Sequence, residues 1–563
     1  MPRVIVLKLG GSVLRSEADY PAAVHEIVRW RREGYAVVAV VSAVSGATDA
    51  WLRRAGEISP DADPHAVAAF VVNGEQQSAS WLGLYLDRAG VPSRVLSPSA
   101  LRLIAEGPAG SASPVGIDRE RLQGALAAGD VAVVPGYFAE DDSGRIVLFG
   151  RGGSDLSALF LAAELGARCR LIKDVDGLYD RDPREREARR YVQASFEDAL
   201  RTDGSILQHE AVRFAKERAL RFEVGELGAS DPTVVGSVAG ERLERVAVRP
   251  RPKRVALLGA GTVGGGVWQR LVAHPESFDV RAVAVRSLPR ALTAGVPIEL
   301  LRRDPIEAAS SGVDIVIEAM GGVSEARRAC EAALRSGAHV VTANKTLLAT
   351  FGEELERRAK VEGRCLLGSA AVGGGVPILE RLALEDPGEV VRVRGVLNGT
   401  SNFVLERCAA GASLSEASHE AERNGLAESD PYRDFAGLDA SAKLTLIARQ
   451  LGWRLKGAPK VQETIDEDAA RRASEARRAG RSLRQVATLE HAGLRAAIRL
   501  EELESEDPLA DLPGCGNAIA IERTDGTSLV LRGRGAGRWP TTEAILSDLF
   551  ELVRKEANVP VVV

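Results

Sequence analysis

Lysine supplies only 10 of the 73 basic residues of this chain, and four of the ten, Lys8, Lys173, Lys345 and Lys443, lie inside short glycine-rich or acid-rich motifs. An ammonium can release a proton when its surroundings lower its pKa, whereas a guanidinium effectively cannot. A lysine kept among arginines therefore suits proton transfer or a point-charge contact. Lys443 ends an acidic run, NGLAESDPYRDFAGLDASAK at 424–443, and Asp439 stands four residues before it, on the same face of a helix. Carboxylates and ammoniums interleaved in this way can grip a substrate amine while one ammonium meets a developing negative charge. Lys345 closes Thr342-Ala343-Asn344-Lys345, Lys8 opens Lys8-Leu9-Gly10-Gly11-Ser12, and Lys173 opens Lys173-Asp174-Val175-Asp176-Gly177. Gly259-Ala260-Gly261-Thr262-Val263-Gly264 offers a different chemistry. Its glycines permit a tight turn and let backbone N–H groups approach a pyrophosphate at a helix N-terminus. Arg286 and Ser287 stand at the end of the next apolar run, where an acid usually holds a ribose 2′-hydroxyl, so NADP is favoured over NAD.

Each glycine-rich turn needs a strand before it and a helix after it. The runs VIVLKLGGS at 4–12 and RVALLGAGTVGGG at 254–266 both begin with a short apolar strand. Apolar runs at 37–41, 131–134 and 171–175 alternate with longer amphipathic stretches, as do those at 254–258, 280–285 and 313–317, which is the pattern of parallel α/β sheets. The expected fold class is thus α/β. Residues 1–235 form a first α/β domain, and 236–252, rich in Gly, Pro and charge, form a linker. Residues 253–375 form a Rossmann dinucleotide-binding domain, 376–505 an α+β substrate and dimerisation domain, and 506–563 a C-terminal segment that completes the dehydrogenase. The stretches 380–394 and 485–503 read as strands or helices of that domain, and 464–486 as a charged helix with a solvated face.

From 253 to the stretch GRGAGRWPTTEAILSDL at 533–549 the chain resembles the homoserine dehydrogenase family. The resemblance rests on the 259–264 turn, Thr342 to Lys345, Gly373-Gly374-Gly375-Val376-Pro377, Asn398-Gly399-Thr400-Ser401-Asn402 and, most specifically, the acidic run 424–443. It implies that Glu428, Asp434, Asn398 and Thr400 hold the amino-acid substrate, and that Lys443, Lys345 and Asp439 are catalytic. It also implies that Gly259, Gly261, Thr262, Val263, Gly264, Arg286 and Gly535 bind NADP, with NAD as the alternative. The chemistry requires such groups. Reducing aspartate semialdehyde places a hydride on the aldehyde carbon while the oxygen gains a proton, and Lys443 is the expected general acid. The family usually carries a glutamate before a glycine-rich turn that binds a monovalent cation through backbone oxygens. Ser369 takes that place here, which leaves the carbonyls of Val372 and Gly374 as candidate ligands for sodium or potassium.

The first half resembles the amino-acid kinase family, and aspartate kinase in particular. Lys8 to Ser12 lacks P-loop spacing; it is joined in order by Ser42 to Asp49, Asn73-Gly74-Glu75, Phe149 to Asp155, Lys173 to Tyr179 and Gly204 to His209. The resemblance implies that Glu75 and Arg151 contact aspartate, with Ser42 and Thr48 beside them. It likewise places Gly10, Gly11, Ser12, Ser154, Asp155, Lys173 and Asp174 about the phosphates and nucleotide of ATP with magnesium, and gives Lys8 a catalytic part. An aspartate offers an ammonium to Glu75 and a carboxylate to the planar fork of Arg151. Its attacking carboxylate is already ionised at neutral pH, so no general base is needed. Two departures stand out. The family often has threonine at the position of Lys173, and 49–73 is short for the family.

The expected whole is a bifunctional enzyme of aspartate-derived amino-acid synthesis; the alternative is a homoserine dehydrogenase whose kinase-like domain serves as an oligomerisation scaffold. Relatives often carry ACT domains, each needing on the order of 60 residues, and neither the linker nor the tail has room for one. Composition excludes other classes. With 73 basic against 78 acidic residues there is no basic excess for nucleic acid. The apolar run before Lys8 is four residues long, too short for a signal peptide or a membrane span, so a cytoplasmic enzyme of small-molecule substrates, assembled as a homodimer or higher oligomer, is expected. Five cysteines without CxxC spacing argue against a disulfide framework or a zinc site.

Overall fold

Strands covered on both faces read as continuous apolar runs rather than alternating ones, and the centre of the first sheet is built from such runs. The computed structural model describes residues 3–185, 188–202, 204–237, 241–243, 251–427 and 431–557. The chain forms two units, residues 1–88 with 92–249, and 89–91 with 250–563.

In the first unit, strands β1 (Arg3–Leu9), β2 (Tyr35–Val41), β3 (Val131–Pro135) and β4 (Arg168–Ile172) are parallel neighbours in the order β4-β1-β2-β3 within a nine-stranded sheet. Lys8 stands level with Val40 on one side and Leu171 on the other. Helix α1 (Asn73–Arg88) begins with Asn73-Gly74-Glu75, and α2 (Gly153–Leu165) is nearly all buried. The strand expected at 171–175 ends at Ile172, so Lys173 and Asp174 leave the C-terminal edge of the sheet, where ligands of open α/β sheets bind. The expected linker is partly sheet. Thr233–Gly236 and Glu241–Leu243 both pair with Arg190–Ser195, because that edge offers free backbone groups to the returning chain.

In the second unit, β5 (Lys253–Leu258), β6 (Phe278–Ala284), β7 (Ile315–Glu318) and β8 (His339–Thr342) form the parallel order β6-β5-β7-β8, with short outer strands at 301–302 and 366–367. Helix α3 (Thr262–Val272) follows the glycine turn and α4 (Lys345–Val361) follows β8. A second, mainly antiparallel sheet contains β9 (Val390–Val396), β10 (Ser482–Glu490), β11 (Arg495–Leu503), β12 (Gly516–Arg523) and β13 (Ser528–Arg534) in the order β11-β10-β9-β12-β13. Its helices include α5 (Gly399–Ala409), α6 (Leu438–Gln450) and α7 (Glu467–Arg478). The charged stretch 464–486 is not one solvated helix. Ala469, Ala470, Ala473 and Ala476 bury one side of α7 against Val404, Leu405 and Cys408 of α5, and β10 begins at Ser482. Alanine allows this close approach, leaving the arginines and glutamates of α7 to solvent. The C-terminal segment also divides. Strands β12 and β13 extend the second sheet, whereas α8 (Arg538–Ala557) sends Ile545, Leu549 and Leu552 into the core around Val267 and Leu271 of α3. All five cysteines are free thiols.

Candidate active sites

In the second unit a buried carboxylate joins two lysines. Asp439, in the first turn of α6, is 3% exposed; its Oδ2 lies 2.9 Å from Lys443 Nζ one turn later, and its Oδ1 pairs with Lys345 at the start of α4. Burial alone would raise the Asp439 pKa, but Lys443 and Lys345 hold it well below the usual carboxylate range. Lys443 also donates to the Leu397 carbonyl at 2.6 Å. Asn398 caps α5, its Oδ1 accepting from the Ser401 N–H at 2.8 Å, while its Nδ2 donates to Asp434 Oδ1 at 2.7 Å and Asp439 Oδ2 at 2.9 Å. Burial pushes the Asp434 pKa up and the neighbouring Asp439 adds to this, against the hydrogen bond from Asn398. The Thr400 hydroxyl donates to the Leu426 carbonyl at 2.7 Å. Lys345, Lys443, Asp439, Asp434, Asn398 and Thr400 are thus brought together; Glu428 lies outside the described residues.

The dinucleotide turn is equally specific. A Cβ at Gly264 would lie 1.9 Å from the Gly259 carbonyl oxygen, so only glycine lets α3 start so close to β5. Gly259 and Gly261 line a cavity of about 340 Å³, and Thr262 and Val263 begin α3. A dinucleotide fits this arrangement: open backbone at the turn and, in the same lining, Arg286 with Ser287, Arg290 and Arg303. Arg286 is paired with Glu325 at 3.3 Å. Gly535, whose N–H donates to Asn517 Oδ1 at 3.0 Å, leads into α8. Ser369 uses its N–H and hydroxyl on the Asp548 carboxylate, at 3.2 and 2.7 Å, and the Gly373 carbonyl accepts from Val376 N–H, so protein groups brace the turn that carries Val372 and Gly374.

Sequence reasoning missed Glu318. Fully buried at the end of β7, it accepts from Met320 N–H at 2.9 Å and from the Thr342 hydroxyl at 2.6 Å. Thr342 Oγ1 in turn accepts from Asn344 N–H at 3.0 Å, and the Asn344 side chain caps α4 at Leu347. One carboxyl therefore ties the 319–320 wall of the dinucleotide cavity to the turn that presents Lys345. Its trace in the sequence is an acid ending an apolar strand, one residue past the run read as 313–317. Arg290 and Arg303 were also missed, since nothing separates them from other exposed arginines until the fold brings them to one cavity.

The first unit repeats the two-lysine pattern. Asp155 in the first turn of α2 lies 2.7 Å from Lys8 Nζ through one oxygen and 2.7 Å from Lys173 Nζ through the other. Burial favours its neutral form, yet the two lysines hold it at about 2. Burial outweighs Asp155 at Lys8, lowering its pKa to about 8. Gly10 lies directly under the Lys8 ammonium, Gly11 approaches the Ala43 carbonyl, Ser12 follows in the loop, and Ser154 precedes Asp155 at the N-terminus of α2. Glu75 is buried. Its Oε1 accepts weakly from Ala43 N–H (3.3 Å) and the Thr48 hydroxyl (3.5 Å), while among the described residues its Oε2 has no hydrogen-bond partner. Burial raises its pKa to about 7. Ser42 closes the β1–β2 edge through its N–H on the Leu9 carbonyl; exposed Asp174 follows β4, and exposed Arg151 lies in the turn before α2.

These features define two enzyme classes in one chain, an amino-acid-kinase-type phosphotransferase fold and a dinucleotide-dependent oxidoreductase. The amino acid kinase family profile matches residues 3–224, the homoserine dehydrogenase NAD-binding domain 259–367, and the homoserine dehydrogenase domain 377–550. The homoserine dehydrogenase of a Synechocystis strain is 34% identical over 318 residues, covering 53% of this chain and 73% of that one. That of Bacillus subtilis is 32% identical over 323 residues, 54% and 73% of the two chains. A crystal structure of a homoserine dehydrogenase from Thiobacillus denitrificans aligns with a TM-score of 0.51 at 31% identity, covering 55% of this chain and 76% of that one. The chain belongs to the homoserine dehydrogenase family and carries an amino acid kinase family domain ahead of it. No helix among the described residues is long and apolar enough to cross a membrane.

Proposed function

We propose that the second unit reduces L-aspartate 4-semialdehyde to L-homoserine with NADPH, and that the first phosphorylates L-aspartate to 4-phospho-L-aspartate with ATP. The observation that carries the first reading is Asp439 bridging Lys345 and Lys443 beside Asn398 and Asp434. Bound NADPH supplies the hydride. Lys443 then stabilises the developing alkoxide and delivers its proton, while Asp439 keeps both lysines oriented and damps their repulsion. Asp434, with Glu428, takes the substrate ammonium. Arg286, Arg290 and Arg303 would hold the 2′-phosphate of NADP, and Arg286→Asp is expected to move the NADP-to-NAD preference toward NAD; an unchanged ratio would make Arg286 a surface residue. The carbonyls of Val372 and Gly374 are assigned to sodium or potassium, which substituting tetramethylammonium in the assay would test.

In the first unit Lys8 and Lys173 neutralise charge on the transferring phosphoryl group, which arrives with magnesium on the nucleotide. Glu75 takes the ammonium of aspartate and Arg151 its α-carboxylate. The Oε2 of buried Glu75, without a hydrogen-bond partner among the described residues, supports this reading. We assign the enzyme to the cytoplasm as a homodimer or larger assembly. The deciding assay gives the full chain aspartate, ATP, magnesium and hydroxylamine, and separately homoserine with NADP. Aspartyl hydroxamate and NADPH should both form. NADPH alone would leave the first unit a scaffold, and failure of both would sink the reading.

A further inference from the structure

Asn517 stands near the start of β12, level with Gly533 of β13, and is 2% exposed. Asparagine is depleted in strands, and an amide taken out of water is costly unless both its ends are bonded. Here both are bonded. Nδ2 donates to the Val396 carbonyl at 3.1 Å, and Oδ1 accepts from Gly535 N–H at 3.0 Å. The amide lies against Gly535 so closely that a Cβ there would come within 2.6 Å of Asn517 Cγ. The turn leading into β12 is itself fastened to α5, because the Asn402 side chain donates to the Leu512 and Gly514 carbonyls at 2.9 and 2.8 Å.

The two groups that Asn517 joins belong to different halves of the site. Val396 ends β9; the next carbonyl, that of Leu397, receives Lys443 Nζ at 2.6 Å, and Asn398 after it donates to Asp434 and Asp439. Gly535 leads into α8, whose Thr542 hydroxyl occupies the place a Cβ of Gly266 would take on α3, the helix of the dinucleotide turn. Hydride and proton must reach the two ends of one carbonyl group, so the donors of each have to be held at a fixed separation. We propose, on the reading of the second unit as a semialdehyde reductase, that Asn517 is a positioning residue that keeps the cofactor side in register with the Lys443 side. Only a side chain that accepts at one end and donates at the other joins an N–H to a carbonyl in this way; alanine would do neither.

The test is homoserine oxidation by the full chain as wild type, Asn517→Ala, Gly535→Ala and the double variant. Each is assayed with ordinary homoserine and with homoserine deuterated at its hydroxyl-bearing carbon, beside NADP affinity and melting temperature. Asn517→Ala should lower kcat about a hundredfold, the cost of roughly 1 Å of misplacement. Its deuterium isotope effect on kcat should exceed that of the wild type, with NADP affinity held within about threefold. Gly535→Ala, whose methyl displaces the amide, should cause a similar loss, but only about threefold or less once Asn517 is already alanine. If Asn517→Ala does not fold, the kcat and isotope effect of Gly535→Ala decide. An unchanged kcat in folded variants, a loss confined to NADP affinity, or losses that simply multiply in the double variant would overturn the proposal. A wild-type chain that does not oxidise homoserine would instead sink the reading of the second unit, and the role of Asn517 with it.

Discussion

At the scale of residues, both units solve one problem alike: a buried aspartate in the first turn of a helix holds two lysines from different elements. The carboxylate keeps two ammoniums close together in a poorly solvated place, where they would otherwise repel or lose protons. Replacing Lys443 by Arg keeps the charge but not the exchangeable proton, so homoserine oxidation should fall by roughly 10²–10⁴-fold while NADP binding persists. Retention of most activity would remove Lys443 as the acid. Glu75 allows a prediction about pH. Burial raises its pKa from 4.5 to about 7, so the folded chain keeps a proton that the unfolded chain releases. Stability therefore falls as pH rises from about 4.5 to about 7 and stays low above, by up to about 3 kcal/mol at about 1.4 kcal/mol per pH unit. Glu75→Gln should raise the melting temperature at pH 8, leave it nearly unchanged at pH 4, and abolish hydroxamate formation. A lower melting temperature at pH 8 would mean that Glu75 is already ionised and satisfied.

At the scale of elements, Glu318 shows how one strand end serves two jobs. Glu318→Ala would orphan the half-buried Met320 N–H and the buried Thr342 hydroxyl, costing about 1–3 kcal/mol, and release both the cavity wall and the Lys345 turn. NADPH affinity and kcat should fall together. A stability loss with both kinetic values unchanged would make Glu318 only a core residue. The sequence made the parallel strands legible because both-face burial writes itself as apolar runs, and the glycine turn because Gly264 has no alternative at 1.9 Å from a carbonyl. The Asp439–Lys443 pair was legible from i, i+4 spacing. Lys345 reaching the same carboxylate was legible only through resemblance, since no local pattern links a residue after β8 to one on α6. The alanine side of α7 was misread because its mean polarity hides a narrow buried stripe.

At the scale of the whole molecule, each unit has its own sheets, core and lysine pair. The proposed chemistry also keeps them apart. The first reaction makes an acyl phosphate and the second consumes an aldehyde, so a reduction by another catalyst has to intervene, and neither site receives the other's product directly. The two activities should then respond separately to damage. Glu75→Ala should abolish hydroxamate formation and leave homoserine oxidation within about twofold of wild type. Lys443→Arg should do the reverse, since each change removes a contact made at only one of the two sites. Both rates would be measured on the same preparation, with the melting temperature as a check on folding. If Glu75→Ala slowed homoserine oxidation severalfold in a fully folded chain, the units would be energetically coupled, and the first would have to be read as controlling the second.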